Sequence, residues 1–402
     1  MKQSKTGLWS VRILLVLILI AIFSNFLAND KPLYCQLNGK THFPVFKSWL
    51  VDLGIGGWDK ELVNADWKKL EYESVIFPPV PYLPTTQDLY NRGCVSPFAN
   101  QNVPSLRWKH WMGTDRLGRD VLAGMIHGTQ TALLVGLISM FIASIIGLLL
   151  GGLSGYFGNN NFRPDRASVF SYSLGFLFFI WWAILGRSRH WLFAEMEGNL
   201  MSEVFIRVFL FGIMLLLAFI VSKLLKRISF FRKDMVIPID SLVLRLIEVF
   251  KSLPGLLVIL ALISLLDQPS IFYVMAIIGL LRWPGIAQYL RAELLKIREM
   301  EYIQSARVLG FSDWRIILRH ALPNAMTPVF ITIAFGIASA ILLEAFISFL
   351  GIGLAPEDVT WGSLLNDARQ NFSAWWLALF PGLAIFITVT IFNLIGDALR
   401  KG

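Results

Sequence analysis

Arg282 and Glu344 each interrupt an otherwise apolar run, and they are the residues of this chain with the most to explain. A charged side chain inside a lipid-length helix is costly, so it normally faces a cavity or a partner. Arg282 falls in the middle of its run and Glu344 in the outer half of its own. Two readings are open: the two residues line or gate a passage, or they form a structural pair, with each other or with a sister subunit. Asp397 lies close enough to the end of the last run to be solvated.

Other chemistry is sparse. The five histidines, His42, His110, His127, His190 and His320, show no metal-ligand spacing, and CxxC, HExxH and GxSxG patterns are absent. No metal site and no catalytic residue is expected. Asn38-Gly39-Lys40-Thr41 resembles the end of a phosphate-binding loop, but Tyr34 stands where its first glycine belongs. His320 reads as a helix-end residue near free carbonyls rather than as a base.

Hydrophobic residues make up 55% of the 402 positions and charged residues 16%. Soluble domains carry about 25% charged residues, so the balance points to a membrane protein. Eight runs are candidate spans: 8–28, 123–152, 169–186, 204–223, 241–266, 271–290, 326–353 and 375–398. Most approach or exceed the ~20 apolar residues that cross a ~30 Å hydrocarbon core as a helix. β-Barrel alternation is absent, so an all-α polytopic membrane protein is expected.

Lys and Arg set the orientation. With the amino terminus inside, the inner segments hold 17 of them and the short outer connections hold 3. Both termini and residues 301–325 are then cytoplasmic, and the net charge of +9 belongs to topology rather than to nucleic acid. Residues 1–28 read as an uncleaved anchor, since no Ala-x-Ala site follows. Residues 29–122 form an outer cap, nearly neutral and rich in proline and aromatics. Cys35 and Cys94 both fall in this cap, which predicts a disulfide worth about 3–5 kcal/mol by loop closure; two free thiols are the alternative.

The connector EYIQSARVLGFSDWRIILRHALPNA (301–325) is too charged to span lipid and too patterned for a slack loop. It predicts two short helices joined near Gly310, a cap at Ser312 or Asp313, and a break at Pro323 before the next span. An interfacial helix pair on lipid and a knob that docks into another protein both fit this spacing. Gly147, Gly151 and Gly155 recur every four residues, a spacing that allows close helix contact. Arg245, Glu248 and Lys251 precede Pro254 with the spacing of local ion pairs.

Gln304-Ser305-Ala306-Arg307-Val308-Leu309-Gly310, continuing to Leu322-Pro323-Asn324, resembles the EAA loop of ABC importer permeases, with Gln304 at its Glu and Ser305 at its first Ala. GTDRLGRDVLAGMIHGTQTALLVG (113–136), residues 279–310 and LLEAFISFLGIGLAPEDVTWGSLLNDA (342–368) resemble the dipeptide, oligopeptide and nickel group. ANDKPL (28–33), FPVFK (43–47) and FPPVPY (77–82) are similar to the Yej-type oligopeptide and microcin C permeases.

The resemblance implies a type I (MetI-like) permease core over 123–157 and 239–402, interrupted at 158–238 by an insertion with two extra spans. It implies that Gln304, Ser305, Ala306, Gly310, Leu322 and Pro323 couple to an ATPase. Glu344 and Arg282 would be translocation-path candidates, with Glu344 meeting a peptide's amino terminus. The chain would bind no cofactor, since partner subunits hydrolyse the ATP. The implied partners are a homologous second permease, two ATP-binding subunits, a periplasmic solute-binding protein and membrane lipid, all at a bacterial inner membrane. The competing expectations are a nickel or other small-solute permease, a membrane-embedded enzyme or anchor, and a non-transporting sensor coupled to an ATPase.

Overall fold

The computed structural model describes residues 5–37, 39–52, 57–58, 62, 65–159, 162–186, 200–266, 270–352 and 358–401. Asn38, His190 and the outer connection 187–199 lie outside the described residues.

In chain order the elements begin with α1 (Lys5–Ile22) and α2 (Ser24–Leu27). Residues 29–122 hold β1 (Tyr34–Leu37), β2 (Lys40–His42), α3 (Pro44–Asp52) and β3 (Ser74–Ile76). Then come α4 (Val121–Phe157), α5 (Arg166–Ile180), a π-helical turn (Trp181–Gly186) and α6 (Leu200–Leu225). They are followed by α7 (Ile239–Ser252), α8 (Gly255–Ser264) and α9 (Ile271–Ile297). The connector gives α10 (Glu301–Val308), α11 (Asp313–Ile316) and a π-helical segment (Ile317–Ala321). The chain closes with α12 (Leu322–Phe349), α13 (Trp361–Gln370) and α14 (Trp375–Lys401).

Five helical stretches are long and apolar enough to cross a membrane, or six if the bent pair α7–α8 is one span. They are α4, most of α6, α9, Asp313–Phe349 and α14. Three of the eight expected spans therefore differ in form. The helices Gly7–Ile22 and Arg166–Ile180 are shorter than a full crossing, each being followed by a short turn of helix. The run 241–266 bends by 78° between Ser252 and Gly255. Pro254 causes this bend, because it lacks an N–H and its ring disfavours a helical residue before it. Upstream, α7 buries only a stripe of Asp240, Val243 and Ile247.

Chain contacts separate two compact units, Met1–Gly152 with Leu246–Gly402, and Leu153–Arg245. The expected insertion 158–238 lies inside the second. There α5 and α6 pack as an antiparallel hairpin, with Ser168 Oγ 3.0 Å from Ser222 Oγ and Phe179 4.9 Å from Phe211. Only 11% of the apolar window of α6 is buried, against 39–44% in α4, α9 and the stretch through α12.

In the first unit the glycines of α4 set how close α9 can come. A Cβ on Gly147 would meet Ile286 Cβ at 2.7 Å, and one on Gly151 would meet the Ala287 carbonyl oxygen at 2.6 Å. Hydrophobic packing continues through Val135, Ile259, Ile263, Met275, Ile278, Ala340 and Ile347. Ser139 Oγ donates to the Met275 carbonyl at 2.9 Å, so its polar group is satisfied within the span.

Residues 29–122 are not helical throughout. An antiparallel sheet of order β2-β1-β3 corrects the all-α expectation, with Cys35 paired to His42 on one side and Val75 on the other. The strands are short and rich in Tyr, Thr, Val and Ile, residues that fit a pleated, half-buried surface. The expected disulfide is not formed: Cys35 and Cys94 are free thiols. Cys35 is sealed in the sheet, whereas Cys94 packs beside Met112 and the cluster of Val121, Leu364 and Trp376. Burial pushes both thiols up.

Between cap and core lies a dense polar knot. His110 is fully buried, with Nδ1 2.8 Å from Asp120 Oδ2 and Nε2 3.2 Å from Asp88 Oδ2. Tyr82 lies over the His110 ring at 4.4 Å, and Lys68 Nζ over Tyr82 at 4.0 Å. Asp120 also accepts the Ala123 N–H, capping the start of α4. Gly118 closes the turn with φ +81°, and a Cβ there would strike the Asp88 carbonyl oxygen at 2.2 Å.

Burial raises the Asp88 carboxyl, but hydrogen bonds from Asn91, His110 and the Tyr90 N–H outweigh it and hold the group below its usual range. Its stabilising contribution is therefore full above the unfolded carboxylate value of about 3.9 and is lost as pH falls through its lower folded value. Thermal melts of the detergent-solubilised chain across the acid range should show a shallower acid loss in Asp88→Asn than in the parent. The α4–α9 contact is tested by a neighbouring pair of variants. Gly151→Ala should lose about 1–3 kcal/mol by overpacking. Gly152→Ala meets only Leu290 Cδ2 at 3.9 Å and should hold or raise the melting point.

Candidate functional site

The connector folds as two helices about a left-handed glycine. Gly310 has φ +75°. Its N–H donates to the Arg307 carbonyl at 2.9 Å, and the Phe311 N–H reaches back to the Ala306 carbonyl at 3.2 Å. This pair of bonds is a Schellman closure, which ends α10 and turns the chain sharply. Ser312 occupies the cap position of α11 without a side-chain capping bond. Phe311 stacks on His320 at 6.3 Å, and the Arg315 guanidinium lies 4.8 Å over Phe311, so the chain leaving the turn is held against the second arm.

Burial divides the connector into two faces. Ile303, Ala306, Ile316, Ile317 and Ala321 are buried. Gln304, Ser305 and Gly310 are exposed, with Val308 at 88% and Leu309 at 72%. Gln304, Ser305, Val308 and Leu309 line an open concave surface together with Glu299 and Glu301. Two aliphatic side chains presented to solvent beside small polar ones make a surface that awaits cover.

Pro323 does not break the helix as expected. It takes an early position in α12, where a missing N–H costs least. The π-helical segment before it absorbs the register change. Helix therefore runs without interruption from Asp313 to Phe349. Leu322 is half-buried on this path and Pro323 is exposed. Asn324 Nδ2 donates to the His320 carbonyl at 2.7 Å and approaches the Tyr302 hydroxyl at 3.4 Å, tying the base of α12 to α10.

At the other end of this helix Glu344 is 1% exposed. Ser348 Oγ donates to its carboxyl at 2.6 Å, and the Thr360 side chain lies beside the same carboxyl. Thr360 is at the same time the cap of α13, accepting the Ser363 N–H at 3.2 Å in a capping box. Gly362 makes room for this contact, since a Cβ there would meet the Ala345 carbonyl oxygen at 2.5 Å. Arg282 is turned elsewhere: its Nη2 donates to Ser339 Oγ at 2.6 Å, joining α9 to α12. Among the described residues Arg282 and Glu344 form no ion pair, and Glu344 is sealed inside the chain rather than open to a passage.

α13 is held on its other side by the GTDRLGRD segment. Arg119 bridges Asp115 and Asp367, the latter at 3.3 Å. Burial, with Asp115 nearby, pushes the Asp367 carboxyl up against the pull of Arg119 and Arg116. Trp361 Nε1 donates to the Met125 carbonyl at 3.1 Å, and Trp376 Nε1 to the Thr114 carbonyl at 3.1 Å. Sequence reasoning missed the roles of Thr360, Ser348, Arg119 and Asp367. The T-W-G-S start of α13 carried a capping signal; the partners of Arg119 lie too far along the chain to be read. Among the described residues no group of three or more His, Cys, Asp or Glu could hold a metal.

Residues 235–402 match the family of binding-protein-dependent transport system inner membrane components. The chain is 28% identical to the inner membrane ABC transporter permease protein YejE of Escherichia coli over 404 residues, covering 99% of this chain and 93% of that protein. It is 25% identical to the peptidoglycan transport system permease protein YejE of Agrobacterium fabrum, covering 99% and 89%. It is 27% identical to the dipeptide transport system permease protein DppC of Bacillus subtilis, covering 75% and 70%. The matched domain, residues 235–402, contains the exposed connector, the unbroken helix above it and the buried Glu344, so these features lie in a region similar to the binding-protein-dependent transport system inner membrane components.

Proposed function

We propose that this chain is the permease subunit of an ATP-driven peptide importer, and that its connector is the surface on which an ATP-hydrolysing subunit docks. The observation that carries the docking is the exposure of Val308 and Leu309 beside Gln304 and Ser305, on a braced turn whose second arm continues directly into a span. A rigid helix with an exposed foot converts a push at the foot into movement at the far end. The peptide cargo rests on relatives named for dipeptide, peptide and glutathione transport. The chain itself holds no nucleotide; the fuel is the partner's.

The proposed orientation puts both termini and the connector inside, on the asymmetry of Lys and Arg. α1 with α2, α4, α5 with its π-helical turn, α6, the bent α7–α8 pair, α9, α12 and α14 then cross in turn, and the cap faces the outside. A homologous permease completes the passage, and a solute-binding protein delivers cargo to the outer face.

Leu309→Glu places a charge on the docking face without touching a buried contact. It should leave membrane insertion and the melting point unchanged and abolish co-purification with the ATPase subunits. Retained co-purification would refute the docking surface. Gly310 separates geometry from contact, because a Cβ there meets nothing within 4 Å. Gly310→Val should cost about 1–2 kcal/mol through φ alone and uncouple cargo-stimulated ATP hydrolysis in the assembled complex. Gly310→Asn should do so less, since Asn tolerates the left-handed region. Equal effects of the two would remove the conformational argument.

A further inference from the structure

The α5–α6 hairpin has no role in the coupling path, yet its foot is built with care. Residues 162–167 are clasped to 231–237 by backbone bonds. Arg166 N–H donates to the Lys233 carbonyl at 3.0 Å, Ala167 N–H to Phe231 at 3.0 Å, and Met235 N–H to Pro164 at 2.9 Å. Asp165 caps α5 through the Ser168 N–H and accepts Lys226 at 2.8 Å, so one carboxylate and one ammonium neutralise each other. Arg166 lies 4.8 Å over Phe230, and Phe170 packs on Phe231 at 5.8 Å.

What remains at this foot is cationic. Residues 163–166 and 223–234 hold seven Lys or Arg against two Asp. Lys223, Arg227, Arg232 and Lys233 are all exposed. Ile228, Phe230, Met235 and Val236 are exposed among them. Exposed cations alone would suit any anion in water. Interleaved with exposed apolar side chains, at the end of an apolar hairpin, they sit where headgroups meet acyl chains.

We propose that the foot of the α5–α6 hairpin is a binding site for the phosphoryl headgroups of anionic phospholipids. Arg227, Arg232 and Lys233 contact the headgroups, and Ile228 and Phe230 enter the acyl boundary beneath them. The backbone clasp holds the two arms of the site together. The lipid in turn anchors a hairpin in which only 11% of the apolar window of α6 is buried.

Native mass spectrometry of the full chain, released from vesicles of mixed phosphatidylglycerol and phosphatidylcholine, tests the proposal. The parent should retain phosphatidylglycerol in preference to phosphatidylcholine. The triple variant Arg227→Gln, Arg232→Gln, Lys233→Gln should lose that retention several-fold. Replacement by Lys at the two arginines should preserve it. A control that removes the same charge from the cap (Lys40→Gln, Lys69→Gln, Arg107→Gln) should retain lipid like the parent.

Should the triple variant fold poorly, the parent alone decides. Added phosphatidylglycerol should raise its melting point, while phosphatidylcholine and inorganic phosphate should not. Equal retention of the two lipids by the parent, undiminished retention in the triple variant, or protection by inorganic phosphate alone would each overturn the proposal.

Discussion

The transmission proposed for this chain depends on helix continuity past two prolines, Pro328 inside α12 and, at its start, Pro323. A proline within a helix normally removes a ladder bond and opens a kink. Here Pro323 falls at the start of α12, directly after a π-helical segment whose wider ladder tolerates the missing donor. The outcome is one helix from the connector to Phe349, with Glu344 about 45 Å from its first turn at 1.5 Å per residue. A flexible joint at that point would dissipate a displacement before it reached the outer end. The Schellman turn at Gly310 and the stacking of Phe311 on His320 extend the same stiffness into the exposed foot.

Rigidity at one end requires a grip at the other. Gly362 lets the start of α13 sit directly against Ala345 of α12, next to the buried Glu344, and Arg119 binds the far side of α13 to the turn that opens α4. Trp361 and Trp376 each spend their one N–H on a backbone carbonyl of residues 114–125. A buried polar group is costly when unpaired and specifying when satisfied. The capping box at Thr360 starts α13 at the point where Gly362 meets α12.

The sequence made the apolar spans, the glycine contacts of α4 and the turn at Gly310 readable, because each rests on periodicity or on one residue's backbone freedom. Gly147 and Gly151 do admit Ile286 and Ala287 as their spacing implied. What could not be read depended on long-range pairing. The bend at Pro254 was visible as a residue but not as an angle, since helix hydropathy alone runs through it. Arg282 and Glu344 looked like partners because both are rare charges at lipid depth. Each instead finds a nearby hydroxyl, Ser339 or Ser348, and a neutral donor or acceptor leaves no trace in charge patterning. The cap's sheet was masked by strands of three or four residues. The cysteine pairing failed for a related reason: sharing a compartment is necessary for a disulfide, but the fold puts Cys35 in the sheet and Cys94 against α13's neighbours.

The burial of Glu344 also bears on where a passage can lie. Beyond Thr327 the exposed residues of α12 are Phe330, Phe335, Leu342 and Phe346, all apolar. Its one acidic side chain points inward, to Ser348. A surface made of that stripe has little affinity for a solvated charge and gains by being covered, by lipid or by another apolar helix. Recognition of a polar cargo by this face alone would lack donors and acceptors. In the transport reading proposed above, polarity for a cargo has to come from somewhere other than this face of α12.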